Sequence, residues 1–398
     1  MRYRHLNSVI SSTGNDGSSG TSAGAEVPAT SPVAEGNWTA VVSAQFGNSF
    51  SGQVFIMRES GTNTTIPIGG NLFGSSVAIS SDYAFVGNLH HDSNNTGRVV
   101  VFNKDTGHQV AILYHPTSPS DTNFGGEDIQ VSATGNRVAI PYKIYTYVQG
   151  STVERYGYNN IQIMDYDGSN RVDIFHPDFD VANNYLNMTA FAEKTGWTET
   201  KFVASARAAD VNGTDSGSVF IYDPTDGSLS TRLDGATAGD KFGYSVATQA
   251  NFNRVLVGSP GWNNNAGRVI LYNDDGTEVM TIERPTTRSD AEFGRNVAYG
   301  SGRIVIGEKL DTSVGYIHIF DEVDGSHIQT ISGPRTDNYA TGDLDVAGNY
   351  IFVSSSGYNS NNGAFWVYDL DGNGGTRYNN PGTSGFAHFG NRIQAIVG

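Results

Sequence analysis

Phe242-Gly243 leads, after a short apolar alternation, to Val255-Leu256-Val257-Gly258, then to Gly267-Arg268-Val269-Ile270-Leu271-Tyr272 and the turn Asp275-Gly276. The same phrase follows at once: Phe293-Gly294, Ile304-Val305-Ile306-Gly307, Gly315-Tyr316-Ile317-His318-Ile319-Phe320 and Asp324-Gly325. Each copy reads as four short strands. Residues alternate apolar and polar with the period of a strand, and Asp-Gly between two such runs marks a tight hairpin, because its positions need positive φ. Working outward, the glycine that opens the third strand recurs at Gly52, Gly97, Gly217, Gly267, Gly315 and Gly363, with successive gaps of 45, 120, 50, 48 and 48 residues. The long gap holds one more copy, Ile161-Gln162-Ile163-Met164, with Asn160 in place of the glycine. Seven third strands at a period of about 50 residues fit one four-stranded propeller blade per copy.

The chain ends decide how the ring closes. Phe389-Gly390-Asn391-Arg392-Ile393-Gln394-Ala395-Ile396-Val397-Gly398 is a first strand with no blade after it. The first folded segment, from about Trp38, starts with second-strand character in Ala40-Val41-Val42-Ser43, and continues through Gly52–Ile56 to a fourth strand near Thr65-Ile66-Pro67-Ile68. The expectation is an all-β, seven-bladed β-propeller over residues 37–398, in which the C-terminal strand completes the N-terminal blade and removes the open sheet edges. Three blades are irregular. The third carries an insertion from Lys143 to Asn159, the fourth has Tyr185-Leu186-Asn187-Met188 where Phe-Gly is expected, and the seventh has Tyr339-Ala340-Thr341-Gly342.

Composition agrees with this reading. The 398 residues include 49 Gly, 20 Phe and 20 Tyr, which suits many tight turns around an aromatic-rich core. There is no cysteine, so disulfides, thiolate metal sites and cysteine nucleophiles are excluded. A net charge of −16 sets the surface against nucleic acid and anionic membranes. No apolar run approaches the roughly 20 residues of a membrane helix, and the basic start Met1-Arg2-Tyr3-Arg4 has no apolar stretch behind it, so no secretory signal is read there.

The Phe-Gly phrase followed by Val-Gly and Gly-x-Val resembles the FG-GAP repeat of integrin-α-like propellers, over residues 38–398. The resemblance implies the propeller architecture. Members of that family often bind calcium between the first and second strands of a blade. Here those links read Thr248-Gln249-Ala250-Asn251-Phe252-Asn253 and Tyr299-Gly300-Ser301-Gly302, without the carboxylates, so the family's calcium sites are not carried over.

Residues 1–36 are a different material, rich in Ser, Gly, Thr and Asn and without apolar periodicity. Such a composition makes an extended low-complexity arm. Its basic and aromatic tip, Arg2, Tyr3, Arg4 and His5, suits docking into an acidic partner in a larger assembly.

Candidate site residues fall on two rims. The long loops between second and third strands carry Tyr145, Tyr147, Tyr156, Tyr158, Trp262 and Tyr358, aromatics suited to a protein or host-surface glycan partner. The hairpins of the opposite rim gather Asp165 with Asp167, Asp321 with Asp324, and Asp369 with Asp371 as weak calcium candidates, although turn formation accounts for each pair. No cofactor is otherwise expected. His90-His91-Asp92 makes a poor metal cluster, since adjacent side chains point apart. No Gly-x-Ser-x-Gly elbow on a strand-to-helix turn, His-Glu-x-x-His or Walker motif appears (Gly20-Thr21-Ser22-Ala23-Gly24 has the first spacing but lies in the low-complexity arm), which argues against an enzyme. The absence of cysteine, the Gly/Ser/Thr/Asn-rich all-β body and the low-complexity arm resemble bacteriophage virion structural proteins. The function expected from the sequence is therefore a non-enzymatic interaction protein of a virion, anchored by its arm. A secreted bacterial carbohydrate-binding adhesin is the alternative, and a polysaccharide-cleaving enzyme with carboxylates from separate blades is a third reading.

Overall fold

The computed structural model describes residues 37–397 apart from 45–51, 67–70, 91–95, 117–122, 133–135, 148–154, 178–190, 287, 310–314, 333–342 and 383–387. Seven four-stranded antiparallel sheets follow one another along the chain. Blades 2 to 7 are each continuous in sequence, with inner strands Asn71–Ile79, Gln130–Val131, Phe191–Trp197, Ser245–Gln249, Asn296–Gly300 and Leu344–Ala347. Blade 1 is composite. The C-terminal strand Phe389–Val397 is its innermost member, beside Trp38–Ala44, Gln53–Arg58 and Thr64–Thr65. The pairing runs from Trp38 opposite Val397 to Ala44 opposite Phe389, with a bulge between Val42 and Ala44. The ring is thus closed as the chain ends require.

The apolar core lies between blades. Seven buried clusters each join two neighbouring blades. This is why the third strands are buried on both faces, as in Ser218–Tyr222. Between blades 7 and 1, Trp38 meets Phe352 and Tyr378 edge-on at centroid distances of 5.4 and 5.2 Å, the favourable arrangement for ring quadrupoles.

The glycine ruler and the Phe-Gly phrase are two halves of one contact between blades. Gly97, Gly217, Gly267 and Gly363 form parallel bridges with Phe124, Phe242, Phe293 and Phe389 of the following blade. At Gly267 the backbone has φ +78°, and a Cβ would stand 2.1 Å from the Phe293 carbonyl oxygen. Only glycine fits there.

Two expectations are corrected. In blade 4 the phrase is Phe191-Ala192, not the segment around Tyr185-Met188, which lies outside the described residues. Phe191 is fully buried against Phe220, and Ala192 takes the left-handed φ of +60° that glycine takes elsewhere. An alanine in that region costs about 1–2 kcal/mol, and a search for Phe-Gly passes over it. In blade 3, the segment expected as a loop is largely sheet. Arg137–Tyr147 and Arg155–Asp165 pair without interruption from Arg137 opposite Asp165 to Tyr147 opposite Arg155. Its alternating tyrosines favour an extended hairpin. The blade 7 segment 339–342 and the arm 1–36 lie outside the described residues.

Candidate functional site: the central channel

Each inner strand turns one edge toward the axis, and the amides on that edge need acceptors. Side chains of the preceding blade supply several. Asp128 Oδ2 accepts from the Thr195 amide at 2.9 Å, and Gln394 Oε1 accepts from the Ile79 amide at 2.9 Å. Two carboxylates of blade 7 reach the closing strand of blade 1. Asp343 Oδ2 accepts from the Ile393 amide at 3.3 Å, and Asp345 Oδ2 from the Ala395 amide at 2.7 Å. Over the inner strand of blade 2, Gln394 Nε2 donates to Gln130 Oε1 of blade 3 at 3.2 Å, and Gln130 Nε2 donates to Asp128 Oδ2 at 3.3 Å.

These groups leave a polar cavity of about 210 Å³, lined on its other side by small residues including Ala247 and Ala298. Three carboxylates line it, Asp128, Asp343 and Asp345, against one cation, Lys194. Lys194 Nζ stands 3.8 Å from Asp343 Oδ1, close enough for attraction but beyond a tight hydrogen bond. Asp345 differs from its neighbours. Enclosure among the inner strands pushes its carboxyl up to about 7, against the pull of the Ala395 amide, and the charge of Asp343 adds to the rise. Its side chain is half-buried, and it borders the cavity. A carboxyl so placed exchanges a proton near neutral pH, as an acid–base group must.

Just before Ser245, the Tyr244 ring is held between two guanidinium groups, Arg207 at 5.1 Å and Arg295 at 5.2 Å. Each arginine is paired with a carboxylate, Glu193 and Glu292 respectively. This frame fixes the start of three adjacent inner strands, including the one that carries Lys194.

The residues singled out from the sequence lie elsewhere. Tyr145, Tyr147, Tyr156 and Tyr158 sit on the extended hairpin of blade 3, where Tyr145 pairs with Gly157 and Tyr156 with Thr146. Trp262 and Tyr358 occupy equivalent loops of blades 5 and 7, and each carries an arginine over its ring at 5.0 Å, Arg268 and Arg377. The hairpin aspartates serve their turns. Asp167 Oδ1 accepts from the Ser169 hydroxyl at 2.6 Å and amide at 2.9 Å, and these bonds hold its carboxyl below the usual carboxylate range. Asp165 accepts from Asn170 Nδ2 at 2.6 Å. Asp321 and Asp324 accept from the Val323 and Ser326 amides, Asp369 from the Asn373 amide, and Asp371 pairs with Arg303. Among the described residues, no group of three or more His, Cys, Asp or Glu side chains is placed to hold a metal ion. Arg2, Tyr3, Arg4 and His5 lie outside the described residues.

The channel residues were missed because they belong to the first strands, the least regular part of the repeat. A signal was present. Where blades 5 and 6 place Ser245 and Asn296 opposite a glycine near the end of the second strand, Gly258 and Gly307, blades 4 and 7 place Lys194 and Asp343 beside Ser205 and Ser354.

No protein-family model matches the chain, and no curated protein matches it in sequence. The FG-GAP likeness therefore stays a likeness of sequence phrase, while the propeller itself is shown. Among solved structures, the fold is similar to a Bacteroides uniformis protein described as "a putative 6-phosphogluconolactonase", with a TM-score of 0.54 and 14% identity over 91% of this chain and 100% of that one. At that identity the likeness is one of fold. The expectation of a non-enzymatic virion component or adhesin is corrected here. Nothing found ties the chain to a virion or a cell surface, and the propeller it resembles is described as an enzyme.

Proposed function

We propose that the central channel is the functional site, and that it carries out acid–base chemistry on a small, neutral or cationic substrate, with hydrolysis of an unphosphorylated lactone or ester as the reaction. The observation that carries this reading is the convergence of Asp128, Asp343, Asp345 and Lys194 on one water-accessible cavity on the ring axis. Its volume is below the roughly 300 Å³ at which drug-sized pockets begin, so the substrate is small. An excess of carboxylates disfavours a phosphorylated molecule, which separates this site from the substrate in the neighbour's description.

Asp345 takes the proton of a water that attacks the substrate carbonyl carbon. The same proton then passes to the leaving alkoxide as the carbon–oxygen bond breaks. Lys194 stabilises the charge that develops on the carbonyl oxygen. The Phe-Gly repeat, on this reading, is a packing device with no part in the chemistry.

The test is a panel of five- and six-membered lactones and simple esters, each with and without a phosphate. We expect turnover of neutral members, rising with pH through about 7 as Asp345 ionises, and a loss of about a hundredfold or more in Asp345→Asn. Absence of turnover across the panel, or activity indifferent to Asp345→Asn, overturns the proposal.

A further inference from the structure

Blade 6 holds a second cluster of titratable groups, on its outer strands and away from the channel. Glu308 is the last residue but one of the second strand (Arg303–Lys309), His318 lies in the third (Gly315–Asp321), and His327 and Thr330 lie in the outermost (His327–Ser332). Glu308 has no exposed surface and is gripped by Arg284, whose Nε and Nη2 donate to its two oxygens at 2.6 and 2.9 Å. That pair neutralises the buried charge by itself. His318 is added to it. Its ring is 2% exposed, its centroid is 5.4 Å from that of Phe293, and its Nε2 stands 3.2 Å from Glu308 Oε2.

The opposite nitrogen of His318 faces outward. Its Nδ1 lies 2.9 Å from Thr330 Oγ1, and the same oxygen lies 2.8 Å from His327 Nε2. Two imidazole nitrogens from adjacent strands therefore converge on one point near the surface. A carboxylate lies beside the far nitrogen of His318, at 3.2 Å but without hydrogen-bond alignment, and its negative charge favours the proton on that nitrogen, the tautomer in which Nδ1 presents its lone pair. Thr330 and His327 are exposed, so water can complete the coordination.

We propose that His318 Nδ1 and His327 Nε2, with the Thr330 hydroxyl between them, form a binding site for one divalent transition metal ion, copper(II) in preference to zinc(II). Bonds of about 2.0 Å in a tetrahedral site bring the two nitrogens about 3.3 Å apart. The two contacts to Thr330 hold both nitrogens within 2.9 Å of one oxygen, and the exposed His327 side chain has to turn inward to close the remaining distance. Imidazole suits both metals, and copper(II) binds such ligands more tightly than zinc(II).

The site is independent of the channel, and so is its test. The full chain is titrated with copper(II) and with zinc(II) by calorimetry, and the copper form is examined by electron paramagnetic resonance. We expect one copper(II) per chain, coupling to two nitrogens and a raised melting temperature. His327→Ala alters only an exposed side chain. It should keep the fold by circular dichroism, reduce the coupling to one nitrogen and weaken binding by about tenfold or more. Asp345→Asn should leave binding unchanged. Failure to bind stoichiometrically overturns the proposal, and so does binding indifferent to His327→Ala, which would place the ion elsewhere, for instance at His90-His91.

Discussion

A single carboxyl carries the clearest pH signature in the molecule. Asp345 has an ordinary value of 3.8 and is raised to about 7 in the folded chain. Between those values the native state keeps a proton that the unfolded chain has released. Stability therefore falls as pH rises from about 4 to about 7, and is fully present only below the lower value. In Asp345→Asn this fall is removed, while the amide oxygen can still accept from Ala395. Urea denaturation at pH 4.5 and at pH 8 should show the variant gaining on the parent at the higher pH, by at most about 4 kcal/mol. Channel water reduces the figure. Parallel behaviour of the two proteins would mean that Asp345 is ionised throughout.

At the scale of elements, the repeat was legible because each blade must solve the same steric problem in the same place. Gly267 and Phe293 recur as Gly217 with Phe242 and Gly363 with Phe389. Blade 4 was harder to place because Ala192 adopts the glycine conformation without being glycine. The channel was not legible for a different reason. Whether Asp345 meets the Ala395 amide depends on the closing strand sitting beside blade 7, some 50 residues on, and no local pattern encodes that. The close approach of blades gives a test with an internal control. Gly267→Ala meets both a left-handed backbone and the Phe293 carbonyl, whereas Gly239→Ala meets the same kind of backbone, φ +82°, with open space around it. We expect losses of about 3 kcal/mol and about 1 kcal/mol respectively in chemical denaturation. Equal losses would mean that the blades separate readily at this contact.

At the scale of the whole molecule, closure of the ring depends on one strand far in sequence from its partners. Phe389–Val397 supplies the inner edge of blade 1, pairs with Trp38–Ala44, and offers the amides held by Asp343 and Asp345. Phe389, Ile393 and Ala395 also belong to the cluster that contains Trp38 and seals blade 7 to blade 1. Large apolar side chains such as Phe389 and Ile393 contribute about 1.5–3 kcal/mol each on burial, and their ladder of backbone bonds would otherwise face water or pair with another molecule. The sum is comparable with the total stability of about 5–15 kcal/mol usual for a folded chain. A chain ending at residue 387 should therefore lose cooperative unfolding and aggregate through the exposed edge of Trp38–Ala44. A synthetic peptide of residues 388–398, added during refolding, should restore the monomer, because blade 1 already presents a complete template for it. Activity at the channel should return in the same titration, since Asp343 and Asp345 recover their partners only when the strand is in place. A truncated chain that melts with the parent would show that six continuous blades hold the ring without its closure.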